Sequence, residues 1–426
     1  MPTPVEPFEI RDPVHGFVRL SLLEWDVINH PAFQRLRRIR QLAWTDLVYP
    51  GAMHSRFEHS LGVMHVAGRL FDAVVRRSKD ILCGSDYGYD NASLARQRRI
   101  IRLAALLHDL GHGPFSHAAE ELLPLRPEGN ERYRHEDYSA AAIRHELAYL
   151  IESHREASTN GIHAADILSI FEIPAPGLLV WKELVSGQMD ADRMDYLLRD
   201  AYHAGVQYGR YDLDRVVHTV RLCPDPDGEG HHIGVDEDGI HAVEGLLLAR
   251  FMMFTQLYFH KTRTIYDYHL VECLKELLKP VGGTFPPPEA VADYLAWDDW
   301  RVVGMIGSGE GGVHGQALRE RRHYRMVFST TEVMSETELD ACTELATALE
   351  PLGCVVRDAE KSWYKSGSEE ITVWRISGGT ARSVPLAELS PVVRGLIRIN
   401  QRRLYVPESL RKTAAGIVKK ITGGLS

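Results

Sequence analysis

The chain has 426 residues, 44% of them hydrophobic and 25% charged, the balance of an ordinary globular protein with room for two or three domains. Its net charge of −9 argues against a nucleic-acid coat, so an anionic substrate has to be held by a local group of arginines. The N-terminus shows no basic leader with an apolar core, the longest apolar stretch (243–254) is interrupted by Glu244 and Arg250, and five scattered cysteines lack CxxC spacing; the expectation is a reduced cytoplasmic protein with no membrane span.

Residues 8–20 alternate and carry Asp12-Pro13-Val14-His15-Gly16, which predicts a turn between two short strands. Residues 21–42 read as helical, with Phe33, Leu36 and Ile39 at helical spacing. The arginines among them (Arg35, Arg37, Arg38, Arg40) read as a solvated face, or alternatively as a phosphate-binding edge. Ser55 with Glu58 three residues on is a capping box opening a helix toward Arg77, with His59 near the end of its first turn and Gly62 allowing close packing. Residues 78–89 read as a loop and 93–107 as a helix with Gln97 and Arg98 outward. That helix ends in His108-Asp109-Leu110-Gly111-His112-Gly113-Pro114-Phe115-Ser116-His117, where the glycines and proline stop it.

A mobile loop is expected over 122–132, then a helix from His135 to Leu150 and short helical pieces at 165–171 and 181–186. In 188–200, Asp192, Tyr196 and Asp200 fall near one face at a period of 3.6 residues. The four acids there could make a solvated face, but Met194, Leu197 and Leu198 suggest that one side is buried. A hairpin is predicted around 224–230, one or two long helices over 243–279, and a Gly/Pro boundary over 280–288. Strands follow at 324–329, 354–356, 371–376 and 404–406, with a helix over 335–352. The expected units are 1–280, a connector over 281–323, and an α+β region over 324–426.

His59, His108, Asp109 and Asp192 come from three separate predicted helices and supply two imidazoles and two carboxylates. Such a set suits manganese, iron, magnesium or zinc and leaves positions for water and a phosphate oxygen.

These four positions match the H…HD…D signature of the HD phosphohydrolase superfamily. Residues 33–36, 56–63 and 108–117, with Asp195-Tyr196, resemble the deoxynucleoside triphosphate triphosphohydrolases, in the branch that includes the SAM-and-HD-domain enzyme and bacterial relatives without a SAM domain. The resemblance implies a mainly α fold: an HD-domain helical bundle with a small β-hairpin and a C-terminal α+β region. It implies a divalent ion held by His59, His108, Asp109 and Asp192, and release of deoxynucleoside and inorganic triphosphate by water attack on the α-phosphate. His135 stands at the family's general-acid position, with Glu120 and Glu136 able to orient or charge the active-site histidines and His112 grouped with them. His112, His117, Arg56, Arg193 and Arg250 would meet the phosphates, while Gln41, Leu42, Tyr196, Asp200 and Tyr258 would line sugar and base. Arg193 replaces a lysine of the animal enzymes, and Asn29 replaces an aspartate of the effector site, to which residues 12–16 and Arg37 would belong. A dNTP substrate, a nucleotide effector and a homo-oligomer are the implied partners. Two other readings stand beside this one: hydrolysis of another nucleotide or nucleic-acid phosphate ester, and a nucleotide-sensing HD module without catalysis.

Overall fold

The computed structural model describes residues 6–172, 176–225, 230–364, 370–378 and 380–423. The fold is mainly helical, as expected, with small sheets at its margins. The chain opens with the antiparallel pair β1 (Phe8–Asp12) and β2 (Gly16–Leu20). Asp12 Oδ1 accepts the backbone N–H groups of Val14 and His15 at 2.9 and 2.8 Å, which closes the predicted turn. Helix α1 (Leu22–Asn29) is capped by Ser21 and Glu24.

The predicted helix over 21–42 breaks after Asn29. Pro31 forbids a helical residue before it, and His30 is extended (φ −66°, ψ 139°). A short turn Pro31–Gln34 and a 3-10 turn Arg35–Arg38 follow. Three of these four arginines are engaged inside the fold rather than forming a solvated face, while Arg37 is exposed. Arg35 is buried and donates to Trp297 O at 3.2 and 2.7 Å, Arg38 pairs with Asp298 at 2.5 Å, and Arg40 pairs with Asp46 at 2.8 Å. Arg37 lies 3.5 Å over the Phe57 ring. Arg35, Arg38 and the Arg40 backbone N–H, which donates to Asp299 at 2.9 Å, fasten this segment to residues 297–299.

The central layer is α2 (Arg56–Arg77) against α3 (Asn91–Leu107). Ser55 N–H donates to Glu58 Oε1 at 2.9 Å, so the predicted capping box forms. Leu70, Val74, Ile101 and Leu106 are fully buried at the heart of the largest core. Two local expectations fail: Gln97 is buried, and residues 78–89 include a short helix, Lys79–Leu82. Next come α4 (His135–Ala142), continued by one wide turn into Ala148–Ser153, and α5 (Ala191–Ala204), which packs on α2. The acids of α5 do not form a solvated face: Asp190, Asp195 and Asp200 are all buried.

Strands β3 (Val220–Pro224) and β4 (His231–Asp236) pair antiparallel; residues 226–229 of the predicted turn lie outside the described residues. Helix α6 (Ile240–Met253) ends in a wide turn, and α7 (Lys261–Leu278) restarts after Phe259, so the long apolar segment is two helices. Beyond it lie β5 (Arg325–Ser329), α8 (Glu336–Leu349), β6 (Val355–Lys361), β7 (Thr372–Ser377), β8 (Thr380–Pro385), β9 (Ile399–Val406) and α9 (Arg411–Ile421). One sheet has the order β5-β9-β6, and α8 and α9 cover it around Cys342, Leu345 and Leu404. The other has the order β3-β4-β7-β8, so β7 adds in parallel to a strand from much earlier in the chain. The cysteines are free; Cys223, Cys273 and Cys342 are buried but Cys83 is exposed, contrary to a uniformly core reading. Among the described residues no helix is long and apolar enough to cross a membrane.

One buried ion pair ties the N-terminal segment to the central layer. Arg102 on α3 makes two bonds to Glu24 on α1, at 2.6 and 2.8 Å, and one to Arg19 O at 2.8 Å. Burial opposes ionisation of Glu24, yet Arg102 holds its carboxyl below the ordinary 4.5. Its contribution is therefore complete above about pH 4.5 and fades as the pH falls. Glu24→Ala should destabilise the protein by roughly 3–5 kcal/mol in denaturant unfolding, because the Arg102 charge stays buried without its partner. A loss below about 1 kcal/mol would show that Arg102 finds water there instead.

Candidate metal centre and the cavity beside it

His59 sits in the first turns of α2, where the capping box fixes the helix start, and is fully buried. His108 and Asp109 lie just past the end of α3, and Asp192 in the first turn of α5. The structure brings the four together. His59 Nε2 is 3.3 Å from Asp109 Oδ2 and 3.1 Å from Asp192 Oδ1. His108 Nε2 is 3.2 Å from Asp109 Oδ1 and 3.7 Å from Asp192 Oδ1.

The opposite ring nitrogens are committed. His59 Nδ1 donates to Asp195 Oδ2 at 2.8 Å, and His108 Nδ1 donates to Ala105 O at 2.8 Å. Both Nε2 atoms then carry lone pairs. They are buried, and neither has a hydrogen-bond partner among the described residues. His59, His108 and Asp109 have ligand atoms close enough to share a divalent cation, and Asp192 Oδ1 approaches both imidazoles as a fourth donor. The alternative carboxylate in this stretch, Asp190, serves another purpose: it caps α5, accepting the N–H groups of Arg193 and Gly187 at 2.8 and 2.9 Å.

Behind His59 is a buried relay of charges. Asp195 Oδ1 accepts from His15 Nε2 at 2.7 Å, and Arg199 clasps both oxygens of Asp195 at 2.8 and 2.9 Å. Arg199 also reaches Asp12 at 2.8 Å, so the β1–β2 turn closes the back of the centre. Burial opposes a charged Asp195, but Arg199, His15 and His59 outweigh it and hold the carboxyl well below its ordinary range. Gly62 makes the room: a Cβ there would stand 1.8 Å from Asp195 Oδ1 and 2.4 Å from an Arg199 nitrogen.

The turn after His108-Asp109 brings in a second group. Gly111 allows α4 to touch it, since a Cβ would lie 2.2 Å from His135 O and 2.3 Å from Ser139 N. Ser139 Oγ donates to His108 O at 2.7 Å and accepts Gly111 N–H at 2.9 Å. This docking sets His135 flat against His112, with ring centroids 3.8 Å apart and 15° between planes. His135 Nδ1 donates to Glu120 Oε1 at 2.7 Å and lies 3.4 Å from Glu136. Burial alone would lower the His135 pKa, but the bond to Glu120 and the charge of Glu136 raise it above 6.5. Burial, then Arg56 and His135, push His112 well below 6.5, so it stays neutral. His117 is largely exposed and shares Glu120 at 3.0 Å.

A cavity of about 610 Å³ opens beside the centre. All ten residues expected to meet phosphates, sugar or base line it: Gln41, Leu42, Arg56, His112, His117, Arg193, Tyr196, Asp200, Arg250 and Tyr258. His108, Asp109, His135, Glu136 and Asp192 line it as well. Arg56 is partly engaged, bonding Asp109 directly and Ser116 Oγ at 2.8 Å. Asp200 accepts Tyr258 O–H at 2.6 Å and pairs with His54 at 2.8 Å. Gln41 Oε1 is buried without a partner among the described residues. Sequence reasoning placed His15 in an effector site and quoted Asp195 only as part of a motif, and it assigned no role to Lys182, Arg263 or Lys361. Only Asp195 had a local signal, an acid four residues before Arg199 on one helix.

The comparisons agree with this geometry. An HD domain matches residues 56–200, and an HD associated region matches residues 211–347. YwfO of Bacillus subtilis is 39% identical over 94% of this chain and 92% of its own length. The chain belongs to the HD-domain family. The deoxynucleoside triphosphate triphosphohydrolase SAMHD1 of Danio rerio is 28% identical over 80% of this chain, which spans 58% of that relative's length. A hypothetical protein from Aquifex aeolicus has a solved structure that superposes with a TM-score of 0.77 at 31% identity, covering 96% of this HD-family chain and 99% of that one. A phosphohydrolase from Bacteroides thetaiotaomicron shares the fold, with a TM-score of 0.71 at 24% identity over 94% of this chain and all of that one.

Gly62→Ala should displace Asp195 and release His59 from its orienting bond. The expected result is metal affinity lowered by about 10–100-fold, the usual cost of losing such support, with a stability loss of about 1–3 kcal/mol from overpacking. Metal titration by calorimetry on the refolded, helical variant checks this. Unchanged affinity would mean that Asp195 does not fix the ligand.

Proposed function

We propose that this chain is a metal-dependent phosphohydrolase that cleaves deoxynucleoside triphosphates to deoxynucleoside and inorganic triphosphate. The observation that carries the reading is one cavity lined by the open side of the His/Asp ligand set, by the His135–Glu120 pair, and by Arg193 and Arg250. The name of the SAMHD1 relatives supports the same substrate class. A divalent ion at His59, His108, Asp109 and Asp192 would supply Lewis-acid assistance and lower the pKa of water.

The remaining work falls to side chains. Expulsion of the nucleoside 5′-oxygen needs a proton, and His135, kept charged by Glu120 and Glu136, is suited to give it. Neutral His112 lies against that imidazolium without repelling it and sets its plane. Arg193 and Arg250 offer guanidinium groups to the terminal phosphates. Asp200, Tyr258 and Gln41 offer acceptors and a ring to the sugar. Asp200 is already bonded to Tyr258, so the pair presents a fixed edge against which a 2′-hydroxyl would be tested.

The deciding experiment is phosphorus NMR of the products from each dNTP and NTP. Intact triphosphate from dNTPs supports the reading; pyrophosphate or orthophosphate would overturn it. Asp192→Ala should lose bound metal by elemental analysis. His135→Ala should keep metal while kcat falls by about 10²–10⁴-fold. Glu120 raises the His135 pKa, so the acid form of His135 persists to higher pH with Glu120 present. Glu120→Gln should therefore move the alkaline limb of the kcat profile to lower pH, and a limb that stays put would remove His135 from the acid role.

A further inference from the structure

Three cations of the large cavity, Arg193, Arg250 and Lys361, also line a neighbouring recess of about 410 Å³ that includes Ser362 and Arg398. They form a shared wall between the two spaces. Arg193 lies on α5 in the HD domain and Arg250 on α6 in the HD associated region, whereas Lys361 ends β6 in the C-terminal third.

Lys361 is not there by accident of a loose loop. Its strand is paired with β9 as far as Lys361 opposite Ile399. Two residues on, Trp363 is 1% exposed and packs edge-on against Phe251 and Phe254 of the α6 segment, with centroids 5.1 and 5.6 Å away. Trp363 Nε1 donates to Ile397 O at 2.7 Å, and Trp363 O accepts from Arg250 at 3.1 Å. The ammonium group of Lys361 stands 4.8 Å over the Phe254 ring. The Trp363 anchor therefore fixes both Lys361 and Arg250 at the wall.

The recess is rich in positive charge. Among the described residues its lining holds four cationic residues and one carboxylate, Glu360, which is matched to Arg398. Arg193 has Asp190 at 2.6 Å. Arg250 bonds a backbone carbonyl, and its buried Nε has no hydrogen-bond partner among the described residues. Guanidinium and ammonium groups gathered on one wall suit a compact polyanion, since each bonds phosphate oxygens most strongly when the partner is ionised.

We propose that Lys361 completes a subsite for the terminal phosphate of a linear triphosphate, so that the C-terminal region helps to select nucleoside triphosphates over shorter phosphates. This rests on the reading that the cavity takes a nucleotide.

The test is calorimetric binding of inorganic triphosphate and pyrophosphate to the full chain, as wild type, Lys361→Gln and Lys361→Arg. Circular dichroism confirms the fold of each variant. Triphosphate affinity should fall about tenfold in Lys361→Gln, the scale of one charge-assisted contact. It should be largely retained in Lys361→Arg, with pyrophosphate changed less than twofold in both. The KM for dNTP should rise in parallel with the triphosphate loss. Triphosphate affinity within twofold of wild type in Lys361→Gln would overturn the proposal, as would an equal loss for both anions, which would indicate a general field. If no dNTP is hydrolysed but triphosphate binding still depends on Lys361, the substrate reading fails and the subsite stands. If dNTPs are hydrolysed without that dependence, the substrate reading stands and the subsite fails.

Discussion

The buried carboxylate of Asp195 is the constraint on which the centre depends. Its two oxygens are shared among His59, His15 and Arg199, and Asp12 holds the far side of Arg199. A lone charge at that depth would cost several kcal/mol. It is tolerable because two cationic or donor groups face each oxygen, and because Gly62 leaves the helix surface open there. Take away any member and another is left buried without its counterpart. The cluster therefore joins three segments far apart in sequence: the N-terminal hairpin, α2 and α5.

A second constraint shapes the turn after Asp109. Phe115 and Ser116 both have left-handed backbone conformations, with φ of 58° and 60°. For residues other than glycine this costs about 1–3 kcal/mol each, and it persists only where the surroundings insist on it. They do so here. Asp299 accepts the N–H groups of Phe115 at 2.7 Å and Arg40 at 2.9 Å, and the Phe115 ring stacks on Trp44. The result delivers Ser116 Oγ to Arg56, and through Arg56 braces the candidate ligand Asp109. The connector beyond α7 thus acts as a clamp on the loops beside the metal centre.

Much of this was legible in the sequence where the signal is local. The capping box at Ser55 and Glu58, the hairpin turn at 12–16 and the α5 register of Asp192, Tyr196 and Asp200 each depend on residues within a few positions of one another. That His59, His108, Asp109 and Asp192 could meet was legible from the His-Asp adjacency and two further spaced residues of ligand type, and the fold brings them together. What escaped is what distance hides. Nothing near His15 announces Asp195, nothing near Arg35 announces the Trp297 carbonyl, and nothing near Lys361 announces Arg193. Arg35 and Arg38 misled for the same reason: their partners arrive from residues 297 and 298, so part of a surface pattern turned inward. Pro31, by contrast, was a local signal against a continuous helix, and the apolar periodicity across it concealed the break.

The parallel pairing of β4 with β7 has a consequence during synthesis. β4 leaves the ribosome with one edge satisfied by β3 and the other open, and the strand that covers it is made only after α6, α7, the segment beyond them, β5, α8 and β6. At ordinary translation speeds that interval is on the order of ten seconds. For that time Gly234 and Val235 present unpaired backbone to any other extended chain. Nascent chains on a crowded polysome would meet at this edge first, which makes it the place where a chaperone would have most to shield.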